Sequence, residues 1–207
     1  MNKSRFILTR CQSNESGFTI IESLIAIIVV AILLVAIAPV LALSVATRVQ
    51  ARRVELATQA AKAYIDGVSS GTIPTPTTEI NDKKLLNGAA APTQLSDLYC
   101  VDLDSGGCSA NSSRDLAVQG FRTQGEAKNG YILALRVYRA DAFSDSTALT
   151  RNTTTNKATQ NTFTGGLGNR KAPLVEMTTE IVTGKTTFQN FCDRLENSET
   201  SNTNTRC

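Results

Sequence analysis

The chain has 207 residues, 21 basic and 18 acidic side chains, no histidine and no tryptophan. Missing histidine removes the residue most used for metal ligation and for general-base work near neutral pH. A net charge of +3 without a long basic patch argues against a nucleic-acid partner, which leaves a clustered basic footprint.

Residues 1–17 carry Lys3, Arg5 and Arg10 against Glu15. This start is basic like a secretory signal, but the apolar run comes after it, not within it. Cys11 follows Arg10, a bulky cation where a lipidation site needs a small residue, so lipidation there is set aside. Next comes Gly17-Phe18-Thr19-Ile20-Ile21-Glu22, and then 25 residues, 23–47, without Asp, Glu, Lys or Arg. As a helix that run spans roughly 38 Å, enough to cross a hydrocarbon core of about 30 Å. Glu22 near its start either stays hydrated at the interface or is functional, since a carboxylate in lipid costs about 2.5 kcal/mol or more. Pro39 lacks an N–H and clashes with the carbonyl of Val35, which predicts a kink or local unwinding there.

The helix is predicted to continue beyond the apolar run. Val45, Val49, Arg52, Val54, Leu56, Ala60, Ala63 and Tyr64 follow a 3.6-residue period, with Gln50, Arg53, Glu55, Gln59, Lys62 and Asp66 on polar faces. Gly67 and Ser69-Ser70-Gly71 predict its end near Asp66. Residues 72–128 read as a long connection marked by Pro74, Pro76, Pro92 and Asn87-Gly88, with short strands at 97–103 and 116–123. Clearer strands follow at 131–140, with Tyr131, Leu133, Leu135 and Val137 on one face, and at 174–183, where Val175, Met177, Thr179 and Ile181 alternate. Gly184-Lys185 predicts a hairpin into a last strand at 186–191. Residues 147–171, rich in Thr, Asn and Gly, read as a mobile surface loop. The fold class is α+β: a long N-terminal helix packed on an antiparallel sheet of three or four strands.

Apart from Cys11 there are four cysteines, Cys100, Cys108, Cys192 and Cys207, which allow three pairings. The favoured pairings are Cys100–Cys108 across the turn-prone Asp104-Ser105-Gly106-Gly107, and Cys192–Cys207 tying down the polar tail; each closes a short loop, which limits its entropic gain to roughly 3 kcal/mol or less. Catalysis and resident cofactors find no support. No cysteine has a histidine partner, and Gly165-Gly166-Leu167-Gly168-Asn169-Arg170-Lys171 matches no phosphate-loop spacing. Asp102-Leu103-Asp104 with Gly107 begins like a calcium loop, but Ser113 stands where the twelfth-position Glu belongs, so no metal site is expected.

The stretch 16–22 with its charge-free run resembles the processing site of type IV prepilins and pseudopilins. The resemblance implies that a prepilin peptidase cuts after Gly17 and that Phe18 becomes the N-methylated terminus. It implies that Glu22 pairs with a neighbouring subunit's terminal amine, and Pro39 falls where many members carry a helix-breaking proline. Physically this is coherent, because cleavage supplies a cation that makes a carboxylate in lipid tolerable. The organisation implied is a leader at 1–17, a transmembrane half-helix at 18–47, a soluble half-helix at 48–67 and a head at 68–207. The mature chain of 190 residues would carry a balance of +1, since the leader removes three basic residues against one acidic. A C-terminal disulfide loop is also common in the family.

Residues 43–61 further resemble cyanobacterial minor pseudopilins linked to hormogonium polysaccharide secretion, which implies polysaccharide export supporting gliding motility. Expected partners are the prepilin peptidase, other pilin or pseudopilin subunits, an inner-membrane assembly platform and membrane lipid, with no nucleic acid. The expected location is a single pass through the inner membrane with the head in the periplasm. Two other readings stand beside this one: an uncleaved, signal-anchored periplasmic binding domain, and a DNA-uptake minor pilin. The first predicts that residues 1–17 stay attached, and the second that DNA binding is salt-sensitive.

Overall fold

A computed structural model describes residues 17, 19–80, 85–124, 127–153, 155, 158, 160, 168–182, 186–190 and 192. The chain divides into two compact units, residues 1–42 and 43–207. Helix α1, Ile20–Ser70, runs 51 residues and includes Pro39.

From residue 50 onward α1 buries Gln50, Ala57, Ala60, Ala61, Tyr64 and Val68. The steps of three and four residues place these on one stripe. Ala60 and Tyr64 were expected there; Val45, Val49, Arg52 and Ala63 instead face outward, and Gln50 faces in. Alanines form the contact because their small side chains let the helix lie close to the sheet. At the closest point, a Cβ on Gly120 would fall 2.3 Å from the Tyr64 hydroxyl, so glycine alone leaves room for that ring.

The helix ends four residues later than the sequence predicts. Gly71, at φ +76°, provides the left-handed residue after the last turn, and its N–H bonds to the Val68 carbonyl. Gly67 lies inside the helix, where a Cβ would meet Ile73 at 2.5 Å. Its lack of a side chain serves packing, not termination.

Strand β1 (Glu79–Ile80) and the short helix α2 (Leu85–Gly88) were not foreseen within the connection. Strands β2 (Tyr99–Val101), β3 (Leu116–Thr123), β4 (Tyr131–Arg139) and β5 (Val175–Ile181) lie within the four predicted segments. They form a five-stranded sheet in the order β1-β3-β4-β5, with β2 also on β3. All pairings are antiparallel except β1 with β3, which is parallel, so the sheet is mixed. The α+β class stands.

Among the described residues of the predicted strand at 186–191, none is in a strand and 188–190 are helical. The Thr187 N–H donates to Asn190 Oδ1 at 2.9 Å, and the Asn190 N–H donates to Thr187 Oγ1 at 3.3 Å. This reciprocal capping overrides the strand preference of Thr and Phe. The predicted turn at Gly184-Lys185 lies outside the described residues.

One face of β4 presents Tyr131, Leu133, Leu135 and Val137 to the α1 stripe, as its alternation predicts. The other face is also covered. Ala134 packs with Phe121 and Ala89, and Tyr138 with Ala142 and Leu149. The described ends of 147–171 are tied down, contrary to the expected mobile loop. Tyr138 Oη donates to the Thr150 carbonyl at 3.0 Å, and the Thr150 N–H to the Lys171 carbonyl at 2.9 Å. Gln50 Nε2 donates to Gln160 Oε1 at 2.8 Å, joining this segment to α1. Lys171 and Arg170 both pair with Asp145, and the bonds from Lys171 and from Thr147 hold that carboxyl well below the usual range.

Burial, reinforced by Tyr131 and Tyr99, pushes the Tyr64 hydroxyl up to about 12, and burial does the same for Tyr138. A folded-state pKa above the unfolded value of about 10 adds stability that is complete below pH 10 and lost as pH rises toward 12. Melting temperature of the full chain in detergent should therefore fall steeply between about pH 10 and 12. The Tyr64→Phe/Tyr138→Phe pair should flatten that fall; an unchanged slope would place the alkaline sensitivity elsewhere.

Candidate processing and assembly site

Gly17 is exposed, with nothing within 4 Å of the position its Cβ would occupy. Phe18 lies outside the described residues. Thr19 then caps α1: the Glu22 N–H reaches Thr19 Oγ1 at 3.3 Å and the Thr19 carbonyl at 3.1 Å. The Ser23 N–H reaches the same carbonyl at 3.2 Å. Thr19 through Glu22 has the spacing of a capping box, a local signal overlooked in the sequence. It makes Glu22 the acidic residue of the first turn, where the helix dipole favours negative charge.

Past the cap, every residue from 19 to 45 is exposed. Large apolar side chains dominate, including Ile20 at 89% and Val35 at 74%. The helix is long and apolar enough to cross a membrane. Among the described residues nothing buries it, so its apolar surface needs lipid or other helices. Gly17 therefore marks an uncrowded, non-helical junction immediately ahead of a capped, uncovered helix that carries one carboxylate in its first turn.

Residues 12–38 match the family of the prokaryotic N-terminal methylation motif. The chain carries this methylation motif. The match spans the predicted cut after Gly17, the cap at Thr19, Glu22 and most of the apolar run. It indicates type IV pilin-like processing by a prepilin peptidase and assembly with other pilin subunits. Together with the apolar helix it supports membrane anchoring. No curated protein and no solved structure matches the chain.

The remaining sequence-predicted residues lie elsewhere. Pro39 is an exposed residue within α1. Cys100 and Cys108 are joined as a disulfide, with Cα atoms 6.1 Å apart. Cys192 is buried, and the pairing proposed for it with Cys207 falls outside the described residues.

The disulfide loop gathers carboxylates. Asp102 accepts N–H bonds from Asp104, Ser105 and Gly107, which together hold its carboxyl below the usual range. Asp104 accepts from the Gly106 N–H and the Ser112 hydroxyl. Fully buried Asp115 enters from the residue before β3 and accepts from the N–H groups of Leu103 and Ser109 at 3.2 Å. Each of the three offers an oxygen, all within 4.8 Å of one another, the donor chemistry of a hard cation. Sequence spacing missed Asp115, because the loop closure that delivers it leaves no local pattern. The hydrogen bonds give these carboxylates a role in shaping the loop without any ion.

Proposed function

We propose that this chain is a minor subunit of a type IV pilus-like filament or pseudopilus. It is stored in the inner membrane through α1 with its head in the periplasm, cut after Gly17 and N-methylated at Phe18. It then enters a secretion or motility filament through an inner-membrane assembly platform, with Glu22 neutralising a neighbouring subunit's terminal amine. The observation that carries this reading is the coincidence of the methylation motif with an exposed, unhelical Gly17 directly before a capped apolar helix. A peptidase needs an accessible extended segment, and filament entry needs a helix whose apolar surface is otherwise uncovered.

The chain acts as a structural component and not as an enzyme. The lack of histidine and the disposition of its buried polar groups as packing partners support that. Polysaccharide export supporting gliding motility is the role favoured for the filament, on the resemblance of residues 43–61 to cyanobacterial minor pseudopilins. The near-neutral mature balance speaks against DNA uptake.

The test is the intact mass and N-terminal sequence of the protein from native membranes, with and without the peptidase. The expected result is a chain beginning at methylated Phe18 only where the peptidase is present. A chain keeping residues 1–17 in both strains would overturn the proposal in favour of an uncleaved anchored domain.

A further inference from the structure

Three arginines, Arg48, Arg52 and Arg53, follow directly on the uncharged run 23–47, and the proposed assembly chemistry uses none of them. The structure separates them by face. Arg53 is half-buried, its environment includes Arg139 and Asp141, and its Nη1 is enclosed without a hydrogen-bond partner. It belongs to the head. Arg48 and Arg52 are exposed. One helical turn apart, they point in nearly the same direction, roughly 160° around the helix from the buried Gln50. Val45 precedes them on this face, 63% exposed, with Val49 on its flank, 37% exposed. An apolar surface thus ends in two cations on the side turned away from the sheet.

Arg52 contacts Glu55 at 2.6 Å, but the two side chains are 61% and 54% exposed, and such a pair holds its arginine weakly. A long side chain at the end of an apolar helix lays its methylenes along hydrocarbon and delivers its guanidinium to the headgroup layer. A guanidinium also matches a phosphate oxygen pair in a forked geometry.

We infer that Arg48 and Arg52 form a binding site for anionic phospholipid headgroups, on the face of α1 opposite the sheet. The site sets the depth of the stored subunit in the leaflet on the head side. It rests on the membrane-anchored reading above, and it adds a lipid contact that must be released when the subunit leaves the bilayer.

The full-length chain, reconstituted in phosphatidylcholine vesicles, is probed with spin-labelled phosphatidylglycerol and with spin-labelled phosphatidylcholine. The motionally restricted fraction of each label is then compared. The expected result is a preference for phosphatidylglycerol on the order of fivefold at low salt, fading as the Debye length shrinks from about 30 Å to about 8 Å. Arg48→Gln/Arg52→Gln should remove the preference, and Arg48→Lys/Arg52→Lys should restore most of it, since charge near the surface dominates. Equal preference in wild type and the glutamine pair would overturn the inference. Competition by inorganic phosphate beyond that of chloride at equal ionic strength would identify a soluble-phosphate site and overturn it too. Restricted lipid without headgroup preference would sink this site alone, whereas no restricted lipid at all would sink the membrane anchor with it.

Discussion

Replacing Glu22 with alanine is expected to leave cleavage and membrane anchoring intact while lowering incorporation into the filament by at least tenfold. Gln should be no better than Ala. The substitution to Gln is the informative one, because two physical roles for Glu22 predict opposite results. As the third helical residue behind Thr19, Glu22 stands at the acidic position of a capping box and in the first turn, where the helix dipole favours it. A capping box accepts Gln as readily as Glu, and the dipole term amounts to about 0.3–1 kcal/mol, a fewfold effect at most. As the counter-ion of a terminal amine in an apolar surrounding, it cannot be replaced by a neutral amide. Removing one partner of a buried ion pair leaves the other uncompensated at about 3–5 kcal/mol, more than a hundredfold. Incorporation is read as the ratio of variant to wild-type subunit in sheared filaments, with the mature mass confirming cleavage. A Gln variant that assembles like wild type would reduce Glu22 to a helix cap.

The elements that the sequence placed well are those whose signal is local. Leu116–Thr123 and Tyr131–Arg139 alternate or run apolar between turn residues, and their observed ends lie within one residue of expectation. The methylation motif is local too, as a few fixed side chains ahead of a charge-free run. What escaped depends on partners distant in sequence. The helix end moved because Gly67 is needed against Ile73, leaving Gly71 to turn the chain. The inward face of α1 moved at Gln50, whose partner Gln160 lies 110 positions away. The 79–80 strand has two residues, too few for any periodicity, and exists because β3 offers it an edge.

Arg136 shows the same limit with the largest energetic consequence in the head. In an alternating strand it falls on the face opposite Leu135 and Val137, which reads as a solvated charge, yet it is fully buried. Its Nε donates to Glu176 Oε1 at 2.8 Å and its Nη1 to the Ala89 carbonyl at 3.0 Å. Its Nη2 donates to the Leu86 carbonyl, and the guanidinium lies 5.3 Å from the Phe121 ring centre. Glu176 is 6% exposed and also accepts from Asn152. One side chain thus fastens α2 and the 89–90 backbone to the outer face of the sheet. Arg136→Met is expected to lower stability by about 3–5 kcal/mol, because it strands a buried carboxylate and removes the donor from two carbonyls. In a unit of this size that corresponds to a fall in melting temperature of roughly 10–15 °C.

Adding Glu176→Leu to that variant should recover only part of the loss. Deleting both members of a buried ion pair can be nearly neutral, but the Leu86 and Ala89 carbonyls still lack their donor. Lysine at 136 should fall between, since an ammonium cannot span acceptors that a planar fork reaches together. Thermal unfolding of the full chain in detergent ranks the set. Full recovery in the double variant would mean that the ion pair alone, and not the tether to α2, carries the energy of this site.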